Sequence, residues 1–275
     1  MAQEVESDGD LAPVEHDLAL VRAAAEQAGR IALTYFHGHE DMDVRMKGGT
    51  SPVSAGDLAA DTFLREFLMT ARPAYGWLSE ESVDVSRTKR LTAPRSFVVD
   101  PIDGTRAFID GRETWCVSVA VVEDGAAVAG VLECPALGFT YHAWTGGGAW
   151  KNGDRLAVRP PRERPVVAAP KSFAPQLERA FPAGFERHAH IPSLAYRIAM
   201  VADGSLDATL IKPNAHDWDV AAAGLILQEA GGRLAEFDGT TVGLNAESVV
   251  KPAMMAGSHA ILDAMFGVVT ADAFG

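Results

Sequence analysis

Cysteine is scarce in this sequence, with only Cys116 and Cys134 among 275 residues. That excludes a disulfide-stapled scaffold, and both sit in apolar, strand-like runs that suit buried thiols in a reducing compartment. No apolar run reaches the roughly 18 residues needed to span a bilayer. The most apolar stretch, 116–139, is interrupted by Glu123 and Asp124. The first residues are acidic and lack a basic-then-apolar leader pattern, so a cytoplasmic protein is expected, with no membrane partner. Positive charge is in deficit: 24 Lys and Arg face 37 Asp and Glu, for a net −13. Such a balance argues against a nucleic-acid polymer as partner, because phosphate backbones are bound by basic surfaces. A small phosphorylated substrate stays open if a metal cation supplies the missing positive charge.

What is present is ordinary globular composition, 48% hydrophobic with 26 Gly and 15 Pro, enough for one large domain or two small ones. Residues 1–12 lack periodicity and are expected to form a mobile acidic tail. Leu18, Val21, Ala25, Ala28, Ala32 and Tyr35 recur at three- and four-residue steps, which predicts an amphipathic helix over about 14–36. A loop over 37–56 contains His37, Gly38, Gly48, Gly49 and Pro52. A second helix over about 57–71 buries Phe63, Leu64, Phe67 and Leu68 and stops at Pro73. Strands are predicted at 96–100, 115–122, 126–133 and 139–144, the middle pair joined by a turn at Glu123-Asp124-Gly125.

The pattern then changes. A helix at 194–203 has Ser193 as N-cap and Gly204 as stop. A strand at 207–211, a helix at 218–230 capped by Asp217, strands at 233–237 and 253–256 and a helix at 259–267 follow. An antiparallel meander half over 13–150 and an α/β half over 151–275 are therefore expected, joined in one compact α+β unit. The chain has no internal repeat and no low-complexity linker.

The informative segment is Asp100-Pro101-Ile102-Asp103-Gly104-Thr105. An apolar strand delivers Asp100, and Pro101 cannot continue a central strand, so a turn is expected. Gly104 permits an unusual backbone angle or a close approach. Two carboxylates three residues apart can share hard cations through oxygen, with the Ile102 carbonyl as a further ligand. Free N–H groups after Gly104 can cradle a phosphate. Taken alone, the segment reads equally as a turn with two solvated acids. Two other acidic sites add weight. Glu80-Glu81-Ser82 also ends an apolar strand, and Trp218-Asp219 opens a helix, where a dipole stabilises a carboxylate without any metal.

In this order the segments resemble the inositol monophosphatase family, which are metal-dependent, typically lithium-sensitive phosphatases. The resemblance runs over roughly 14–267. It includes Lys47, the stretch from Ser51 to Asp57, the glycine-rich turn from Gly146 to Gly153, Trp218 to Gly224, and Glu229-Ala230-Gly231-Gly232. It implies a layered α/β/α/β/α sandwich, usually a homodimer. It also implies that Glu80, Asp100 and the Ile102 carbonyl hold a first Mg²⁺, and that Asp100, Asp103 and Asp219 hold a second, with Mn²⁺ a possible substitute. Asp57 and Thr105 would pair beside the attacking water, and the Gly104 and Thr105 amides would bind phosphate. Two cations about 3.5–4 Å apart would neutralise phosphate oxygens, acidify water and stabilise the leaving alkoxide, leaving little covalent work for the protein.

Other chemistries fit less well. An aspartyl nucleophile needs Asp-x-Asp-x-Thr, whereas two residues separate the acids here. Gly204-Ser205 and Gly257-Ser258 lack the Gly-x-Ser-x-Gly frame. Gly146 to Gly148 reads as a hairpin rather than a dinucleotide site, and no histidines have zinc-site spacing. A non-catalytic metal-binding regulatory module would be expected to have lost a ligand or the water activator, and none is lost. The expected activity is a Mg²⁺-dependent phosphomonoesterase of the inositol-1-monophosphatase kind. A bisphosphate nucleotidase or a histidinol-phosphatase is the alternative. Inositol phosphatases commonly carry an acid about seven residues before Asp219, but Lys212 stands there. A lysine cannot accept a hydroxyl proton, so Lys212 either points to solvent or favours a substrate with a second anionic group.

Overall fold

The computed structural model describes residues 13–38, 43–47, 51–82, 87–270 and 272. The expected acidic tail at 1–12, and Gly48 and Gly49 of the expected loop, lie outside the described residues. In chain order, α1 (Val14–Tyr35) leads through a hairpin of β1 (Arg45–Lys47) and β2 (Ser51–Val53) to α2 (Ala55–Ala71). Next come β3 (Gly76–Ser79), α3 (Arg87–Thr92), β4 (Ser96–Asp103) and α4 (Thr105–Ile109). A meander of β5 (Cys116–Glu123), β6 (Ala126–Cys134), β7 (Phe139–Trp144), β8 (Gly148–Lys151) and β9 (Asp154–Arg155) completes the first half. The short hairpin at 45–53 occupies part of the stretch expected to be loop.

Strands β3 to β9 form one seven-stranded sheet in sequence order, parallel between β3 and β4 and antiparallel thereafter. The β5–β6 turn has Asp124 and Gly125 both at positive φ, 48° and 78°, the geometry a two-residue hairpin requires. Alternation along the strands sends side chains to opposite faces. Phe97, Val99 and Val119 pack against Leu18, Val21, Ala60 and Leu64 of α1 and α2. Val98, Ala120 and Val122 face the other way.

The second half supplies what covers that other face. It runs β10 (Val166–Ala168), α5 (Ala174–Ala180), β11 (Glu186–Arg187), α6 (Leu194–Ala202), β12 (Ala208–Ile211), β13 (Ala215–His216) and α7 (Asp217–Glu229). Then come β14 (Gly232–Glu236), β15 (Val250–Lys251), β16 (Met254–Ser258) and α8 (His259–Met265). Helices α6 and α7 lie between the first sheet and a five-stranded sheet ordered β11-β10-β12-β16-β14. Ile198, Val201, Ala222 and Ile226 share one core with Val98 and Ala120 on one side and Met254 and Ala256 on the other. Beyond it, Val167, Leu210 and Met255 pack against Leu177 of α5 and Ile261 and Leu262 of α8. The result is five layers, α/β/α/β/α.

Three local expectations change. Phe67, expected on the buried face of α2, is exposed, while Leu64 and Leu68 are buried. Pro101 does not end β4: the strand continues to Asp103 with a register shift, Asp100 opposite Ser118 but Asp103 opposite Cys116. Three steps on β4 thus face two on β5, a bulge, which is where a sheet tolerates a proline. Asp217 does not cap α7; His216 holds the N-cap position and Asp217 is the first helical residue. Its carboxylate is drawn away instead to Lys251 Nζ at 2.5 Å and the Asn245 amide at 2.5 Å.

Candidate metal centre and active site

The acid centre is assembled at the C-terminal ends of β3 and β4 and the N-terminus of α7. Along an undistorted strand, Asp100 and Asp103 would point to opposite faces. The bulge removes that opposition, and oxygens of Asp100, Asp103 and Asp219 lie within 4.8 Å of one another. Parallel pairing of Ser79 with Val99 places Glu80 alongside Asp100, and the Glu80 amide donates to the Val99 carbonyl at 3.2 Å. Glu80 is outside the close triad, but its charge acts on Asp57, Asp100, Asp103 and Asp219 alike.

Each acid is fixed by its own backbone context. Asp100 accepts from the Ile102 amide at 3.1 Å. Asp103 accepts from Ser193 Oγ and from the Leu194 and Ala195 amides at 3.2 and 2.7 Å, so the first turn of α6 orients it. Asp219 accepts from the His216 amide at 2.6 Å, the return contact of a helix start. Burial is the main reason that Asp100, Asp103 and Asp219 all sit above the usual carboxylate range. Charge crowding from Glu80 adds to it at all three, and the amide and hydroxyl donors at Asp103 oppose it.

Asp57 is the third residue of α2. Its Oδ2 accepts from the Ser54 amide at 2.8 Å and Ser54 Oγ at 2.5 Å, closing a capping box. Its Oδ1 is left for Thr105 Oγ1 at 3.1 Å. The same hydroxyl lies 3.1 Å from the Ile102 carbonyl. Burial pushes the Asp57 carboxyl up to about 6, with the Ser54 bonds opposing and the Glu80 charge adding. Gly104 stands at φ +95°, and a Cβ there would meet Ser193 Cβ at 2.9 Å, so only glycine brings this turn against α6. The first amides of α4 have no partners within that helix.

Lys212 is brought elsewhere. It is exposed on the rim of a cavity of about 390 Å³, lined also by Leu194, Arg197 and Ala215, rather than among the acids. Sequence reading missed several contributors. Asp61, one turn after Asp57, accepts from Ser79 Oγ at 2.5 Å and Ser82 Oγ at 3.0 Å, on either side of Glu80. Ser193 was legible as a cap but not as a partner of Asp103. The Ser54-x-x-Asp57 spacing is a capping-box signal that would have moved the predicted start of α2 to Ala55. Cys116 Sγ, 3.9 Å from Asp103, and Cys134 are both buried.

The donor set suits a hard divalent cation: three carboxylates, oxygen only, largely withdrawn from water. Among the described residues no other group of His, Cys, Asp or Glu offers this, and no helix is long and apolar enough to cross a membrane.

Comparison with known proteins gives concordant results. The model of the inositol monophosphatase family matches residues 14–270. A histidinol-phosphatase of Mycobacterium tuberculosis is 32% identical over 237 residues, 81% of this chain and 88% of its own length. The 3′(2′),5′-bisphosphate nucleotidase CysQ of Aggregatibacter actinomycetemcomitans is 31% identical over 251 residues, 88% and 93% of the two chains. Among solved structures, the extragenic suppressor protein suhB from Bartonella henselae superposes with a TM-score of 0.77. Identity is 29%, covering 92% of this chain and all of that one.

Proposed function

The chain belongs to the inositol monophosphatase family and is a phosphoric monoester hydrolase, and from that premise we propose that it hydrolyses a small phosphate ester with Mg²⁺ held at the acid centre. The observation that carries this reading is the convergence of Asp100, Asp103 and Asp219 within 4.8 Å beside the Asp57–Thr105 pair. Asp100, Asp103 and Asp219 would hold metal, with Glu80 and the Ile102 carbonyl completing the set, and Mn²⁺ could replace Mg²⁺. Bound there, the metal supplies charge for the phosphate oxygens and the leaving alkoxide and makes water more acidic.

The chain's own groups do the rest. The Gly104 and Thr105 amides orient the phosphate. Thr105 Oγ1, held by Asp57 and the Ile102 carbonyl, keeps a lone pair for the attacking water. Asp57, with its carboxyl near 6, can take the proton close to neutral pH. Inositol 1-phosphate, a nucleoside 3′,5′-bisphosphate and histidinol phosphate all satisfy this centre, because it reads only the phosphate and its ester oxygen. A soluble cytoplasmic homodimer, inhibited by lithium, is part of the same reading.

The test is release of inorganic phosphate from a panel of these esters with Mg²⁺ or Mn²⁺ and in excess chelator. Activity that depends on the cation and disappears with EDTA supports the reading. Full activity in chelator overturns it.

A further inference from the structure

We propose that the cavity beside the acid centre is a second anion-binding subsite, built on Arg197 and Lys212, and that the alcohol part of the substrate carries a second anionic group. The inference rests on the phosphomonoesterase reading above and names its substrate class. The cavity, about 390 Å³, is of the size that takes small ligands. Arg187, His188, His190, Arg197 and Lys212 line it, and no Asp or Glu does. In a chain with 37 acids and 24 Lys and Arg, that wall inverts the overall composition.

The position of Arg197 is the second observation. It projects from α6, is partly buried, and its Nε is fully enclosed with no hydrogen-bond partner among the described residues. A guanidinium nitrogen withdrawn from water without an acceptor is unfavourable; Nε itself lies out of reach of a ligand in the cavity, but Arg197 lines that cavity, so its charge stands in the wall where an anion would meet it. Asp103 attracts the Arg197 charge, but its oxygens already serve Ser193, Leu194 and Ala195. The positive field extends to the phosphate turn. His190 is held below its ordinary value by burial first, then by Arg197, Arg112, Lys212 and Arg106.

The cavity and the acid centre share walls. Leu194 lines the cavity while its amide donates to Asp103 at 3.2 Å. Ala215 lines it, and the amide of the next residue, His216, donates to Asp219 at 2.6 Å. An ester whose phosphate sits at the acids therefore has this cavity next to its alcohol part. An inositol ring would bring only neutral hydroxyls, and histidinol phosphate would bring an ammonium group that these cations repel. A second phosphate or a carboxylate is what Arg197 and Lys212 would favour.

Two substrate pairs separate the possibilities. Adenosine 3′,5′-bisphosphate against adenosine 3′-monophosphate reports a second phosphate, and 3-phosphoglycerate against glycerol 3-phosphate reports a carboxylate. With Mg²⁺ present, the wild type should favour the more anionic member of at least one pair by about ten- to a hundredfold in kcat/KM. That ratio should fall toward one in Arg197→Met and in Lys212→Met and be largely retained in Arg197→Lys. Reading a ratio cancels any general loss of activity or folding, and Lys212→Met, at an exposed position, gives a second independent variant. Calorimetric affinities for the same pairs give the ratio without turnover. Discrimination by binding with no phosphate release would overturn the hydrolase reading and keep the subsite. Ratios near one in both pairs, or ratios that neither methionine variant changes, would overturn the subsite.

Discussion

The Asp61 carboxylate holds Ser79 Oγ at 2.5 Å, and its other oxygen holds Ser82 at 3.0 Å, so one side chain of α2 ties down both ends of the turn that carries Glu80. Glu80 itself stands at the end of β3 with its amide on the Val99 carbonyl. The position of Glu80 beside Asp100 thus depends on a residue outside the close acid triad.

Asp61→Ala should therefore act through cation affinity. The Mg²⁺ concentration giving half-maximal activity should rise about tenfold or more, as for outer partners of metal ligands generally. The value of kcat at saturating Mg²⁺ should change much less, and Asp61→Asn, which keeps one acceptor, should fall between. Equal loss of kcat at all Mg²⁺ concentrations would show that the effect is not on the Glu80 turn.

Asp57 faces two demands. Oδ2 accepts from Ser54 and Oδ1 from Thr105. An asparagine has one carbonyl oxygen and can serve only one of them. Asp57→Asn should lower kcat by about 10²–10⁴-fold with little change in KM, the size expected for loss of a general base. Circular dichroism and thermal melting would confirm that the loss of the cap, about 1 kcal/mol, leaves the protein folded. Thr105→Val should lower kcat in the same way, and the double variant should be no worse than the poorer single one.

Asp100 crowds its charge against Glu80, Asp103, Asp219 and Asp57 in a buried site. Removing that charge should stabilise the protein when no cation compensates it. Asp100→Asn is expected to melt at a higher temperature than the wild type in EDTA. Adding Mg²⁺ should raise the wild-type Tm and leave the variant nearly unchanged. Differential scanning calorimetry with and without cation reads both effects; a variant less stable than wild type in EDTA would contradict the charge argument.

His142, buried on β7, is held down to about 4, by burial first and by Arg22 second. Its folded value lies below its unfolded one, so its contribution to stability is complete above about 6.5 and is lost as pH falls toward 4. His142→Gln cannot take up that proton. The stability difference between wild type and His142→Gln should shift against the wild type by about 1–3 kcal/mol between pH 7 and pH 4. Denaturant melts of both proteins across that range would show it, and a constant difference would place the imidazole in contact with water.

Local patterns determined most of the elements and the identity of the acids. Three- and four-residue spacing placed α1, the Asp124-Gly125 turn placed the β5–β6 hairpin, and the order of Glu80, Asp100 to Thr105 and Trp218-Asp219 identified the family. These are short-range signals, carried by backbone preference and side-chain periodicity. Which oxygens meet was decided only in three dimensions. The bulge after Asp100 sets two acids on one side, because pairing with β5 leaves an extra residue between Asp100 and Asp103. Asp61 reaches the Glu80 turn, Ser193 reaches Asp103 and Arg197 reaches its cavity because helices from opposite layers pack on the same sheet. Sequence separation carries no information about those contacts: Asp103 and Ser193 are 90 positions apart along the chain, and the packing of α6 against the sheet closes that interval.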